Sequence, residues 1–495
     1  MNTPLRGHQK LSYGFGQLGE GFQNGAVEAF LFFYYTQVLG LSGTLTGAAV
    51  LVALLFDAVT DPLVGSLSDS AKTRWGRRHP FMMLSAIPTA LSFYLVFTPP
   101  AGLTEFNLFL WLAGFAVLVR ASMTLFVVPY SAMTAELSDD PTERTSIAAY
   151  RSVFSILGWL SVSMAGTMYF FRATPNYELG TLNPAAYPAF GAVVAIAIAI
   201  PIVVSTLATF GLRDRLFEAA VDHHFSMRGM INDAATAMSF PAFRILIIAG
   251  LVAFLATGMR LALLVHLKSF FFEMNSQEIG YTMVATLVGM LSGLVLWNWV
   301  SRRLEKKTCY MIGVAWMGFF ALFPVAVYYF GWLPVSAGHT GVVMLVIVAS
   351  FLSGLGGASV SLMTISMLAD VTDENELQTG RRQEGIYFGT SNFLHKCSSG
   401  LGHFVAGVGL DLIAFPSDAI PGEVAPEIIN RLGLLYGPGV LFCCLIASFI
   451  MRRYPLSRDR HAEIIRQLEA QRPTSAKTGS THDLDDDLGT ELGAY

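Results

Sequence analysis

What most limits this chain is its supply of long apolar stretches, twelve of them, near residues 12–38, 43–69, 80–99, 106–135, 146–171, 186–211, 241–270, 278–300, 308–331, 341–368, 383–413 and 432–451. Lipid offers no partner to an open backbone N–H or C=O, so a segment of about 20 such residues crosses a bilayer only as a helix. Charged residues make up 13% of the 495, against about 25% in a soluble domain. The expected fold is therefore an all-α membrane protein. An even number of spans puts both termini on one side.

The basic residues say which side. Lys72, Arg74, Arg77 and Arg78 follow the second stretch, Arg213, Arg215 and Arg228 the sixth, Arg302, Arg303, Lys306 and Lys307 the eighth, and Arg381 and Arg382 the tenth. Connections 38–44, 98–105 and 331–340 carry almost none, so the basic set is predicted to face the cytoplasm of an inner-membrane protein, with both termini inside. The longest of these connections, 213–240, divides the chain into six-helix units at 1–212 and 241–453, as in transporters built from parallel repeats. Residues 454–495 read as a cytoplasmic tail, largely disordered, with a short amphipathic patch at 461–468.

Ionisable residues inside spans are costly in lipid and mark pathways or partners. Helix 1 places Glu20, Asn24 and Glu28 on one face, and helix 2 places Asp57 and Asp61 one turn apart. Two carboxylates about 6 Å apart along a helix axis can share a proton, hold a small cation or pair with a basic helix. Candidate basic partners are Arg120, Arg151 and Lys396, whereas Arg260 is expected to reach outward past the apolar core. In helix 4, Thr124 lies one turn past Arg120, and Pro129 frees the Leu125 carbonyl; both oxygens are candidate further ligands for a cation held by Asp57 and Asp61. Tyr130 is a candidate stacking surface for a sugar ring.

Several classes of function are excluded. A net charge of −4 and the lack of any Lys/Arg-rich block argue against nucleic-acid binding. No Ser/His/Asp spacing or HExxH-like motif supports an enzyme. The acidic run at 483–487 lacks the glycine and glutamate of a calcium loop, and nothing else suggests a resident metal or cofactor. The four cysteines, in or beside apolar stretches, read as small packing residues.

The run Phe56-Asp-Ala-Val-Thr-Asp-Pro-Leu-Val-Gly65 followed by Arg74-Trp-Gly-Arg-Arg-His-Pro80 resembles the signature of the glycoside-pentoside-hexuronide:cation symporters, the group of the melibiose carrier within the major facilitator superfamily. Leu11-Ser-Tyr-Gly-Phe-Gly16, Val128-Pro-Tyr-Ser131, Glu143-Arg144, Ala369-Asp-Val-Thr-Asp373 and Glu384-Gly-Ile-Tyr387 extend the resemblance over nearly all of 11–453. It implies a major facilitator fold of twelve transmembrane helices in two six-helix bundles, with alternating access. It also implies a cation site of Asp57, Asp61, Thr60 and Thr124, with Arg151 and Lys396 at the solute cavity. The sugar-binding aspartates of that carrier align here with Gly21 and Val127, and its sugar-packing tryptophan with Ser131. Melibiose is therefore not the expected solute.

The combined expectation is Na⁺- or H⁺-coupled symport of a glycoside or sugar acid by a monomer in contact with lipid. The solute site would comprise Glu20, Asn24, Arg120, Tyr130, Arg151 and Lys396, where Arg120 would suit an anionic glycoside. A cytoplasmic gate would use Asp69, Arg74, Arg77 and Arg78 in one half and Asp370, Asp373, Arg381 and Arg382 in the other. Residues 128–134 and 142–151 also resemble the sodium-dependent lysophospholipid symporters, which makes an amphiphile the alternative solute. A membrane sensor that transports nothing is the alternative of another class.

Overall fold

The computed structural model describes residues 5–71, 73–138, 140–216, 235–380 and 383–471, and among these every regular element is a helix. Helix α1 runs through Gly7–Phe15, Gln17–Ala26 and two wide π-type turns, Val27–Leu31 and Tyr34–Val38. There follow α2 (Gly43–Ser70), α3 (His79–Val96), α4 (Glu105–Glu136), α5 (Pro141–Ala165) and α6 (Ala186–Thr209). The second set is α7 (Pro241–His266), α8 (Ser276–Val300), α9 (Lys306–Tyr329), α10 (Gly338–Thr379), α11 (Glu384–Leu412) and α12 (Pro426–Met451). A further helix, α13, covers Arg458–Gln471. The starts are set by local chemistry: Asp140 Oδ1 accepts from Thr142 N–H at 2.9 Å at α5, and Asn275 and Glu278 form a reciprocal capping box at α8. Gly380, at φ 69°, ends α10 in the left-handed conformation that glycine adopts freely.

Among the described residues, ten of the twelve helices α1–α12 are long and apolar enough to cross a membrane. The two that fall short of that measure, α1 and α11, carry Glu20, Asn24 and Glu28, and His395, Lys396 and His403, respectively. Polar residues that face the protein interior lower their hydropathy without exposing charge to lipid. Their interior packing is close: a Cβ added at Gly21 would lie 2.4 Å from the Ser155 carbonyl, and one at Gly258 2.2 Å from that of Ser399. Glycine at such crossings lets helix backbones touch, the usual way helices associate without a hydrophobic driving force.

The two bundles meet chiefly along α2 and α11, with smaller contacts of α1 with α7 and α5 with α8. These contacts cluster at the end away from the termini. There a Cβ at Gly43 would sit 2.5 Å from the Gly407 carbonyl, and one at Gly280 2.4 Å from the Thr167 hydroxyl. Asp411 of α11 accepts the Gly43 and Thr44 N–H groups at 2.8 Å each, capping α2 from the opposite bundle. Thr36 and His266 join α1 to α7 at 2.9 Å. Nearer the termini the contact fades, and Cβ atoms at Gly385 and Gly389 would meet open space. The molecule is thus closed at the far end and open towards its termini.

The tail differs from expectation over part of its length. Arg458–Gln471 is helical, with Ile464 and Leu468 buried. Arg458 donates to the carbonyls of Arg302 and Leu304, each at 3.0 Å. His461 Nε2 lies 3.0 Å from Asp373 and 3.5 Å from Asp370. The amphipathic patch is enough to order this stretch because α10 and the α8–α9 turn offer both apolar surface and carboxylates. The acidic run beyond Gln471 lies outside the described residues.

Candidate transport site

Asp57 and Asp61 project from one face of α2 halfway along its crossing with α11. Thr124 Oγ1 of α4 lies 2.9 Å from an oxygen of each carboxylate. Lys396 Nζ of α11 lies 2.9 Å from the other oxygen of Asp57 and 2.7 Å from that of Asp61. Arg120 Nη1 stands 3.8 Å behind Asp57. A hydroxyl has one proton and cannot satisfy two carboxylates at once, so the ammonium is the main charge holding them together. Asp57 is sealed, at 5% side-chain exposure, whereas Asp61 at 33% and Lys396 at 38% are reached from the open end.

The expected cation ligands come together in part. Asp57, Asp61 and Thr124 converge; Thr60 instead donates to the Asp57 backbone carbonyl at 3.2 Å, as threonine does within a helix. Lys396, expected at the solute site, occupies the space between the two aspartates.

The expected solute ligands divide. Arg151 of α5 donates to Gln17 Oε1 at 3.2 Å, Thr134 Oγ1 at 2.9 Å and Ser131 Oγ at 2.8 Å. Gln17 in turn donates to Glu20 Oε2. Glu20 is half-buried and within electrostatic reach of Arg151, Lys396 and Arg120. Asn24, one turn on, is also half-buried. Tyr130 does not belong with them. Its ring is fully buried, stacked at 4.5 Å on Tyr13 and 4.8 Å on Phe126, and its hydroxyl donates to the Tyr13 carbonyl. The register of α4 turns Tyr130 towards α1, and the Arg151 guanidinium lies over its ring, 4.9 Å from the ring centre. Arg260 also departs from expectation: it lines an internal cavity with Tyr436 rather than reaching outward.

The gate candidates form separate clusters, each within one bundle. Arg78, 4% exposed, holds Asp69 and Glu136 at 2.6 Å each and Ser68 at 2.8 Å, while Arg77 also binds Glu136, at 2.7 Å. Arg74 lies over Trp75. In the other bundle Lys306 binds both oxygens of Asp370 at 2.7 Å, next to His461 and Asp373. Arg381 and Arg382 lie outside the described residues.

Several participants stand outside the expected site. Glu28 receives the Trp159 indole N–H at 2.9 Å, and Glu136, Lys306 and Asp411 complete ion pairs or caps between distant segments. Only Glu28 carried a signal, since it shares a helix face with Glu20 and Asn24.

A family profile described as "MFS/sugar transport protein" matches residues 12–458. The chain belongs to this major facilitator family. Membership places it among multi-pass membrane transporters rather than enzymes. Among relatives of this MFS chain, "Uncharacterized symporter sll1374" of Synechocystis sp. is 26% identical, covering 93% of this chain and 96% of its own. "Sodium-dependent lysophosphatidylcholine symporter 1-A" of Danio rerio is 25% identical over 90% and 85%. In the solved structures, the nucleoside transporter NupG superposes with a TM-score of 0.60 at 13% identity, covering 90% of this chain and 99% of that one. That likeness is one of fold.

Proposed function

We propose that this protein is a cation-coupled symporter of a glycoside or sugar acid, working as a monomer in the inner membrane with its termini in the cytoplasm. On that orientation the molecule is open inward. The observation that carries the reading is Lys396 lodged between Asp57 and Asp61: a tethered cation sits where a travelling one would bind. An arriving Na⁺ would find four carboxylate oxygens and the Thr124 hydroxyl, the hard ligands such an ion favours. A proton would instead neutralise one aspartate.

Either arrival frees Lys396. Two carboxylates are balanced at present by Lys396 and Arg120, so one added positive charge leaves a basic group unmatched, beside Glu20, Asn24 and Arg151. That excess favours an anionic solute, and binding of each ligand favours the other, as coupling requires. The bundles then rock about the α2–α11 crossing, with the clusters around Arg78 and Lys306 steadying the cytoplasmic ends of their bundles and Arg74, Asp373, Arg381 and Arg382 completing the gate when that side closes.

Symport of an amphiphile is a second reading, favoured by a mostly apolar groove of about 550 Å³ that opens on the outer surface between α5, α8 and α10 and by the lysophosphatidylcholine symporter among the relatives. Counterflow in vesicles with uronides, neutral glycosides and lysolipids, at set Na⁺ and pH, separates the two. Asp57→Asn or Asp61→Asn should abolish the dependence of uptake on the cation gradient, and unchanged dependence defeats the site. Arg120→Gln should impair anionic solutes selectively; equal loss for neutral ones leaves Arg120 a structural role.

A further inference from the structure

Two cations inside the second bundle, Lys268 fully buried and Arg260 half-buried, lack a counter-charge, and we propose that they hold a small inorganic anion of halide size between α7, α9, α10 and α12. Lys268 stands in the π turn Leu267–Phe271 that ends α7 and is 4% exposed. Such turns recur at functional sites because they displace one side chain from the helical register. Its ammonium donates to Thr282 of α8, which uses one of three N–H groups. Arg260 lies two turns earlier on α7 with Nε buried and without an acceptor. Tyr436 of α12 is its hydrogen-bonding neighbour. Both cations line one cavity with Ser350 and Tyr436.

Among the described residues neither cation forms an ion pair. Glu28 acts on Arg260 only from a distance, and Lys268 and Arg260 act unfavourably on one another. A buried charge without a partner is strongly unfavourable, and a guanidinium cannot relieve this by losing its proton. The cavity measures about 20 Å³, room for one or two water-sized bodies. That admits chloride and excludes a sugar acid or a lipid phosphate. An anion there would tie α7 to α12 a short distance from the Thr36–His266 contact that closes the far end, and so would steady that closure.

The purified protein is melted in sodium chloride and in sodium gluconate at equal ionic strength. Chloride should raise the melting temperature saturably, by about 2–4 °C for a site of modest affinity, bromide should replace it, and Lys268→Gln should flatten the response. If that variant fails to fold, radiolabelled chloride retained by the wild type, and displaced by bromide but not gluconate, supplies the same answer. Equal melting in both salts with no retained chloride overturns the proposal.

Discussion

The two bundles carry opposite charge in their interiors. Midway along the helices the first holds Glu20, Glu28, Asp57 and Asp61 against Arg120 and Arg151, whereas among the described residues the second holds Arg260 and Lys396 there, with Lys268 in the turn that ends α7. Its buried Asp370 lies in the last turns of α10 beside Lys306. An excess of acid therefore faces an excess of base across the midplane, and among the described residues this attraction is realised at one place, the Lys396 bridge to Asp57 and Asp61. Two bundles held so strongly by a pair that a small ligand can dissolve are suited to switching. Were each bundle neutral within itself, a travelling cation would have little leverage on their contact.

The sharpest way to break this comparison is to remove its single bridge. Lys396→Gln leaves a sealed Asp57 with only Arg120 at 3.8 Å. Breaking a buried pair costs ~3–5 kcal/mol, and the 38% exposure of Lys396 argues for the lower end. About 3 kcal/mol corresponds to roughly a hundredfold change in an equilibrium constant. Since the lost group competes with the coupling ion, the half-saturating Na⁺ or H⁺ concentration for uptake should fall by up to that factor. An unchanged cation dependence would mean that the bridge is only structural.

A second test addresses where the bundles touch instead of what charge they bear. Gly407→Ala would place a Cβ 1.9 Å from the Gly43 carbonyl, with backbone on both sides and nothing able to move aside. Overpacking of this kind costs ~1–3 kcal/mol, a roughly 5–150-fold change in the balance of states. The far end should open, raising the labelling rate of a cysteine introduced at Leu51 by an impermeant thiol reagent. No change in labelling would show that Gly43 and Gly407 do not control that closure.

Most of the fold is legible in the sequence because lipid leaves the chain a single spanning structure: apolar runs give the helices and basic turns pair them into two sets. The aspartate pair is legible for the same reason, a charge in a span being costly enough to stand out. What stays hidden is which charges meet. Lys396 and Asp57 are more than three hundred positions apart, and no local pattern tells whether a lysine serves solute or carboxylate. Tyr130 misleads because an aromatic residue beside a proline looks the same whether it lines a cavity or packs on Tyr13. The Asp411 cap on α2 is invisible, since it depends on how two bundles dock. Helix α13 is half visible: its apolar spacing is clear, but its partners Asp370, Asp373 and the α8–α9 turn are brought to it only by folding.

That helix also gives the smallest expected effect. The first bundle secures its cytoplasmic end with Arg78, buried between Asp69 and Glu136, while the second uses Lys306 on Asp370 and borrows His461 from α13 to reach Asp373. His461 is itself 25% exposed and Asp370 keeps Lys306 without it, so His461→Gln should cost only the ~1 kcal/mol of an ordinary hydrogen bond, visible as a melting shift of about 2–4 °C or less. Arg78→Gln, by contrast, strips two carboxylates of a sealed partner and should cost several times more. Equal losses from the two variants would mean that the tail helix is as integral to its bundle as Arg78 is to the other, and that the two ends are built alike despite their different residues.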